Sequence, residues 1–232
     1  MTDVDNKNSG TVTVAVIARN EEPTIAEVVS AVLPHADETL VIDGNSTDRT
    51  REISEELGAR VYRDDGHGKG DGIRKAIEVA GGDVLVFIDA DCSHDPDDIP
   101  RMVAPILAGE ADLVVGSRWT GGSDELFGDL GKFVRSTGSS IITLAIDYRW
   151  HVKLTDSQNG FRAISTRAAR AITLEEDIFT IEQEMIMKLL KAGYRVSEVP
   201  THEYRRKDGD SQIVVWRVWY KYVWCLIKNL VK

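Results

Sequence analysis

Two aspartates separated by one residue, Asp89 and Asp91, come directly after the apolar run 84–88. Two carboxylates at that spacing, just beyond a buried strand, can converge on one hard divalent cation. Mg²⁺ or Mn²⁺ prefers carboxylate and phosphate oxygens as ligands. An Asp-x-Asp pair is frequent by chance, and the apolar strand in front of this one makes it informative. We therefore expect Asp89 and Asp91 to hold a divalent metal rather than only to cap the next helix.

The elements around these aspartates alternate between strand-like and helix-like segments. Strands are predicted at 11–17, 39–42, 60–62, 83–88, 112–117, towards 164, and at 194–199. Helices are predicted at 24–33, 49–57, from the glycine-rich loop 66–72 to residue 80, and at 133–145 and 182–192. This alternation predicts an α/β domain whose mostly parallel sheet has helices on both faces. Ligands bind at the carboxyl ends of such strands, where Asp43 and Asp89 lie.

The composition limits the function classes. A chain of 232 residues with 42% hydrophobic residues is long enough for one well-buried domain. A formal net charge of -10 argues against a nucleic-acid partner, which needs a basic surface. We expect a disordered tail at 1–10, one domain at 11–212 and an amphipathic helix at 213–232. Two cysteines without metal-type spacing fit a cytoplasmic protein.

A series of ordered sequence blocks resembles a known family. The blocks lie at 17–21, 41–48, 68–70, 89–91, 116–118, 156–162 and 193–200. Over roughly residues 12–212 the chain resembles family 2 glycosyltransferases of the GT-A fold. Within them it looks most like the polyprenyl (dolichyl) phosphate mannosyl- and glucosyltransferases. The resemblance implies a single Rossmann-like domain and metal-assisted transfer of a hexose from a nucleotide-sugar, with inversion.

The resemblance also implies roles for individual residues on the donor side. Asp91 would ligate the metal that bridges the diphosphate, and Asp89 would contact the ribose or the metal-bound water. The donor-binding residues would be Ala18, Asn20, Glu21, Asp43, Lys69, Asp89 and Ala90. Asp43 would accept a hydrogen bond from the base. The metal-binding Gln of the mannosyltransferase pattern is replaced by Ser93, and the second acid of its base-binding block by Gly44, which leaves GDP-mannose and UDP-glucose both open.

The residues that bind the acceptor are predicted from the positions of the cationic side chains. A lipid monophosphate needs positive partners, and the resemblance assigns this role to Arg118, Arg135 and Arg205. An ordinary surface salt bridge is the better interpretation of the neighbouring Arg206. A phosphate acceptor is already ionised near neutral pH and needs no strong base. A hydroxyl acceptor, as in phosphoglycerate-type transferases, would need one, and Asp156 and then Glu182 are the candidates.

The C-terminal segment 213–232 mixes aromatic residues, aliphatic residues and four lysines or arginines. This pattern predicts an interfacial helix, with Arg217, Lys221 and Lys228 on one cationic face. Packing on the protein's own core or in an oligomer is the alternative. We expect a peripheral protein on the cytoplasmic face of a membrane. A catalytically silent nucleotide-sugar binder is disfavoured because Asp43, Asp89 and Asp91 are all intact.

Overall fold

The computed structural model describes residues 10–126, 130–207 and 215–231. The strands are β1 (Val12–Ala18), β2 (Glu38–Asp43), β3 (Arg60–Arg63), β4 (Val84–Asp89), β5 (Leu113–Ser117), β6 (Arg162–Ser165) and β7 (Val196–Pro200). The helices are α1 (Ile25–Val32), α2 (Thr50–Glu56), α3 (Lys69–Val79), α4 (Ile99–Leu107), α5 (Arg118–Gly121), α6 (Leu130–Trp150), α7 (Thr166–Ala171), α8 (Ile181–Lys191) and α9 (Val215–Val231). Residues 1–9 of the predicted tail lie outside the described residues.

The strands form one sheet in the order β3-β2-β1-β4-β6-β5-β7. Strand β6 runs antiparallel to its neighbours β4 and β5, and the other pairings are parallel. The predicted mostly parallel α/β sheet is therefore confirmed. Its register places Ala18 beside Asp43 and Ile17 beside Asp89, so the ends of β1, β2 and β4 meet at one edge.

The sheet is covered on both faces, as the near-continuous apolar strands require. One face packs against α1 and α4, for example through Ile25 and Met102. The other packs against α3, α6, α8 and α9, through side chains such as Ile73, Met185 and Cys225. Because both layers are closed, the strands are held rigidly, and the loops at their carboxyl ends carry the polar groups.

The glycine-rich segment before α3 differs from its prediction. Helix α3 begins at Lys69, so the Gly-Lys-Gly block lies in its first turn rather than in a loop. The glycine at position 70 is required by packing, since a Cβ there would overlap the carbonyl oxygen of Glu176. The Gly70 N–H donates to the carbonyl oxygen of Asp177 at 2.8 Å. This contact fixes the start of α3 against the segment before α8.

The C-terminal helix packs on the domain and also leaves an apolar face exposed. The thiol of Cys225 is buried against the carbonyl oxygen of Thr180, and Gln183 donates to the carbonyl oxygen of Tyr222 at 2.9 Å. Lys228 contacts Glu175 at 2.5 Å, so it faces the protein's own surface and not a separate cationic face as predicted. Among the helices that the structure describes, none is both long and apolar enough to cross a membrane.

Candidate active site

The loops after β1 and β2 are joined by hydrogen bonds. The Asn20 side-chain oxygen accepts from the N–H of Thr47 at 2.8 Å, and the Asn20 N–H donates to the Ser46 hydroxyl at 2.8 Å. Asn20 has a φ of 56°, a left-handed conformation that Asn tolerates better than most residues. The N–H of Glu21 donates to the hydroxyl of Thr50 at 2.7 Å. These contacts form one wall beside Ala18 and Asp43.

Asp43 is buried at the end of β2, and one of its carboxylate oxygens has no hydrogen-bond partner among the described residues. Its Oδ1 accepts from the N–H of Ser46 at 3.0 Å. Its Oδ2 has no hydrogen-bond partner among the described residues, and the nearest cation is Arg63 Nε at 3.6 Å. A buried carboxylate oxygen without a hydrogen bond is costly, and this cost falls when a ligand N–H binds it. The geometry therefore suits a carboxylate that receives a donor group such as a base N–H.

Three carboxylates approach one another where β1 and β4 end. Burial raises the pKa of Glu21, and the negative charges of Asp91 and Asp89 raise it further. Asp91 Oδ1 accepts from the N–H of Ser93 at 3.0 Å, and Asp91 Oδ2 lies 3.3 Å from Arg206 Nε. Hard oxygen donors in a field this negative are the chemistry that a divalent cation such as Mg²⁺ or Mn²⁺ requires. The residues present therefore fit such an ion.

Lys69 occupies the centre of the site. Its ammonium lies 2.8 Å from Asp89 Oδ1, 2.9 Å from Asp89 Oδ2 and 3.1 Å from Glu182 Oε1. Burial alone would lower the pKa of Lys69, but the carboxylates of Asp89 and Glu182 outweigh burial and raise it. Lys69 is therefore a charged residue of the site.

Position 160 is a glycine because of this ion pair. A Cβ on Gly160 would lie 2.5 Å from Lys69 Nζ and 2.9 Å from Asp89 Oδ2. The ring of Phe179 covers the ammonium from another side, with Lys69 Nζ 5.3 Å from the ring centroid. The block around Asn159 and Gly160 thus contributes to the site through its backbone conformation, which leaves room for Lys69 and Asp89.

Glu182 reaches the same centre from the first turn of α8. Burial raises the pKa of its carboxyl group, although Lys69 and Arg162 oppose that rise. Its Oε2 has no hydrogen-bond partner among the described residues. Arg162 is buried and donates to the carbonyl oxygens of Asn159 and Glu182. This arginine therefore positions the backbone around Glu182.

Arg118 and Asp156 contact each other. Arg118 Nε lies 2.6 Å from Asp156 Oδ2, Arg118 Nη2 lies 3.0 Å from Asp156 Oδ1, and Arg118 Nη1 lies 3.1 Å from Glu203. Burial opposes ionisation of Asp156, but Arg118 outweighs it and lowers the pKa of that carboxyl group. Asp156 is fully buried and is not among the described residues that line the cavity beside it. This geometry is poor for a general base, and Glu182 is the candidate that reaches the cavity.

A cavity of about 440 Å³ opens beside Lys69 and Asp89 and has two chemically different ends. The inner end is polar and includes Lys69, Asp89, His94, Arg118, Arg135, Glu182, Glu203 and Arg206. The outer end is apolar and lies between α6 and α9. Its residues are Val134, Ile141, Ile142, Val218, Trp219, Tyr222, Val223 and Leu226. The cavity therefore fits a molecule with an anionic head and an apolar tail.

The predicted acceptor arginines have different positions. Arg135 lines the cavity, and burial followed by the charge of Arg118 lowers the pKa of its guanidinium group. Arg205 is exposed, is not among the described cavity residues, and its backbone N–H donates to Asp124 at 3.3 Å. Arg206 lies inside the cavity instead and contacts Asp91. The structure therefore places Arg206, and not the predicted Arg205, at the cavity, because sequence alone does not say which of two adjacent arginines points inwards.

His94 was not among the predicted site residues, but it is buried at the cavity. It stacks on Phe161 with centroids 5.1 Å apart, and its Nε2 lies 3.9 Å from Asp89 Oδ2. Its position five residues after Asp89 was the available signal. A second group of possible metal ligands, Asp65, His67 and Asp71, lies at the start of α3. There Asp71 accepts from the N–H of Asp65 at 2.7 Å, which makes it a loop-closing residue.

Comparison with known proteins identifies the class that this fold and site define. The family model described as glycosyl transferase family 2 matches residues 13–173. The chain therefore belongs to glycosyl transferase family 2, and it has the GT-A fold that the sequence blocks predicted.

Curated relatives are similar along most of the chain. Glycosyltransferase AglJ of Haloferax volcanii is 35% identical over 83% of this chain. The chain spans 62% of the length of AglJ. The UDP-N-acetylglucosamine--dolichyl-phosphate N-acetylglucosaminyltransferase of Methanococcus voltae is 28% identical, over 88% of this chain and 91% of that protein.

A solved structure supports the fold assignment. Glucosyl-3-phosphoglycerate synthase of Mycobacterium tuberculosis, in complex with Mn²⁺, UDP and glucosyl-3-phosphoglycerate, has a TM-score of 0.74 at 23% identity. The match covers 96% of this chain and 80% of that one. At this identity the likeness concerns the fold alone.

Proposed function

We propose that this chain transfers a sugar from a nucleotide-diphosphate donor to the phosphate of a polyprenyl-type lipid, with the help of a divalent metal. The observation that carries this proposal is the two-ended cavity. Its polar end, which includes Lys69, Arg135 and Arg206, lies next to Asp89, and its apolar end lies between α6 and α9. A soluble acceptor would leave the apolar walls without a ligand to cover them, whereas a lipid tail would bury them.

The donor side of the proposal rests on the ends of β1, β2 and β4. Asp43 would accept from the base, beside Ala18, Asn20 and Glu21, while Lys69 would turn to the diphosphate. Asp91, with Asp89, would hold a divalent cation that neutralises the charge developing on the leaving nucleoside diphosphate. The solved structural neighbour contains Mn²⁺ and UDP, which supports a divalent metal and a nucleotide donor but not the individual residues.

The transfer would be a single displacement. An oxygen of the acceptor phosphate attacks the anomeric carbon as the bond from that carbon to the diphosphate oxygen breaks, which inverts the configuration. No proton has to leave the nucleophile, because a phosphate monoester is ionised near neutral pH. Arg135 would hold the acceptor phosphate, while Arg118 stays fixed by Asp156 and Glu203. The Methanococcus voltae relative, whose name includes dolichyl phosphate, supports an acceptor of this kind.

A soluble acceptor is the second candidate, and the structural likeness to glucosyl-3-phosphoglycerate synthase favours it. In that case Glu182 would serve as the base for a hydroxyl group, since burial raises its pKa. The apolar face of α6 and α9 favours the lipid acceptor over the soluble one. That face would also hold the protein at the surface of a membrane, on the side where nucleotide-sugars are present.

A donor panel tests the proposal. The purified chain is incubated with Mn²⁺ or Mg²⁺, polyprenyl phosphate in detergent, and labelled GDP-mannose, UDP-glucose or UDP-N-acetylglucosamine. We expect label from one donor to enter the organic phase, and EDTA or Asp91→Ala to abolish the transfer. A parallel series offers 3-phosphoglycerate in place of the lipid. Label in a water-soluble product, with none in the lipid, would replace the lipid acceptor by a soluble one.

A further inference from the structure

Both acids of the Asp-x-Asp pair already hold a side-chain cation. Lys69 Nζ lies within 2.9 Å of both oxygens of Asp89, and Arg206 Nε lies 3.3 Å from Asp91 Oδ2. The Lys69 contacts are short charge-assisted hydrogen bonds, and the Arg206 contact is a partly buried ion pair, so solvent screens both less than it screens a surface pair. A divalent ion that binds the same oxygens has to displace or shift these cations first. Metal binding to the free protein is therefore opposed by the protein's own side chains.

Glu182 gives the displaced ammonium a second partner. Lys69 Nζ lies 3.1 Å from Glu182 Oε1, and Glu182 Oε2 has no hydrogen-bond partner among the described residues. A buried ammonium without a carboxylate would be strongly unfavourable. Because Glu182 stays in contact with the ammonium, Lys69 can break its contact with Asp89 and still be paired with a carboxylate. Gly160 makes room for the pair, because a Cβ there would lie 2.5 Å from the ammonium.

We propose that Lys69 and Arg206 are the counter-ions of Asp89 and Asp91 in the free protein. The two cations leave these carboxylates to the metal only when the diphosphate of a donor binds Lys69 and Arg206. Metal and nucleotide-sugar then bind as one cooperative event. The coupling free energy between metal binding and nucleotide binding is therefore larger than the direct contact between metal and phosphate would give. This inference rests on the donor half of the proposed function, and the identity of the acceptor does not enter it.

The test measures Mn²⁺ binding to the full chain without nucleotide, from the electron paramagnetic resonance signal of free Mn²⁺. Lys69→Met removes the ammonium and keeps a side chain of similar length. We expect this variant to bind Mn²⁺ alone at least about fivefold more tightly than the wild type, which is a typical size for coupling between two ligands. The same variant should bind UDP or GDP more weakly when Mn²⁺ is saturating. Lys75→Met on α3 is the matched control, because Lys75 pairs with Glu78 on the surface.

A second variant tests the proposal at a position where the substitution should not disturb folding. Arg206→Met removes the cation on Asp91 from a side chain that is 28% exposed, so the core is not disturbed. We expect it to tighten binding of Mn²⁺ alone in the same direction. Unchanged or weaker Mn²⁺ binding in both variants, with the thermal melts showing folded protein, would overturn the proposal. The assay contains no lipid, so its result is independent of whether the lipid is the acceptor.

Discussion

Arg118 and Asp156 form a two-point ion pair at the wall of the cavity, with contacts of 2.6 Å and 3.0 Å. Asp156 Oδ1 also accepts from the N–H of Gln158 at 3.0 Å, and the third side of the guanidinium contacts Glu203. The positive charge of Arg118 is therefore matched by two carboxylates. Arg118 and Asp156 thus hold the end of β5 against the block 156–162, and under the proposed function the acceptor phosphate would depend more on Arg135.

Asp156→Asn should destabilise the fold. Breaking one partner of a buried ion pair costs about 3–5 kcal/mol, so we expect a loss of that size in the free energy of unfolding at pH 7. The folded-state pKa of Asp156 is lowered, hence its stabilising effect is present above the unfolded-state pKa of about 3.9 and is lost as the pH falls. Urea denaturation at pH 7 and at pH 3.5 measures both effects.

The control for this variant is Asp97→Asn, at an exposed carboxylate that contacts His35. A surface change of this kind should alter the free energy of unfolding by less than about 0.5 kcal/mol. Equal stability of Asp156→Asn and the wild type at pH 7 would contradict the structural role of the pair. An undiminished difference at pH 3.5 would contradict its electrostatic origin.

Asp43→Asn should weaken nucleotide binding specifically. The variant places an amide where Asp43 Oδ2 has no hydrogen-bond partner among the described residues. A hydrogen bond to a charged group is worth about 1.5–3 kcal/mol, so the Kd for UDP or GDP should rise roughly ten- to hundredfold. Calorimetric titration with each nucleotide at fixed Mn²⁺ gives the value. Glu55→Gln, at an exposed residue of α2, is the control, and equal losses in both variants would argue against direct contact.

The fold and the strand ends that carry Asp43 and Asp89 were readable from the sequence for a physical reason. Buried parallel strands are apolar almost throughout, so their ends are marked where the first acids appear, as at Asp43 and Asp89. The sheet then brings those ends together, and the prediction needs no knowledge of side-chain packing. Strand β4 and the Asp-x-Asp pair after it show this most directly.

The acceptor side was only partly readable, since it depends on contacts between distant segments. Arg118 and Asp156 are 38 residues apart, and each was assigned a separate catalytic or binding role. The choice between Arg205 and Arg206 depends on which side chain faces inwards. The apolar groove arises because α6 and α9 pack side by side, a tertiary arrangement that neither helix encodes alone.

The exposed apolar face of α6 and α9 predicts binding to lipid vesicles. Leu144 is 66% exposed and Trp224 is 64% exposed, and neither is among the described residues of the cavity. Burying one such side chain contributes about 1.5–3 kcal/mol, so the double variant Leu144→Glu with Trp224→Glu should bind vesicles at least about tenfold more weakly. Sedimentation with vesicles of phosphatidylcholine and phosphatidylglycerol measures this. Leu33→Glu, at an exposed leucine elsewhere, should bind as the wild type does.

Vesicle binding has a clear negative outcome. Wild-type protein that stays in the supernatant at every lipid concentration would contradict a membrane-facing role for this surface. Equal weakening by Leu33→Glu would show that the effect is a general consequence of added negative charge.

The most direct test of the account is a series of acceptors that share one phosphate and differ in the length of the isoprenoid tail. Each buried methylene is worth about 0.8 kcal/mol, so kcat/KM should rise at least about tenfold from a five-carbon to a long-chain phosphate. In Ile141→Asp, at a cavity residue of α6 that is 60% exposed, this rise should be lost while nucleotide binding stays unchanged. Tyr148→Asp, at an 86% exposed residue of α6 outside the described cavity lining, should keep the rise. A kcat/KM that is independent of tail length, or equal in the wild type and Ile141→Asp, would contradict a lipid acceptor in the cavity between α6 and α9.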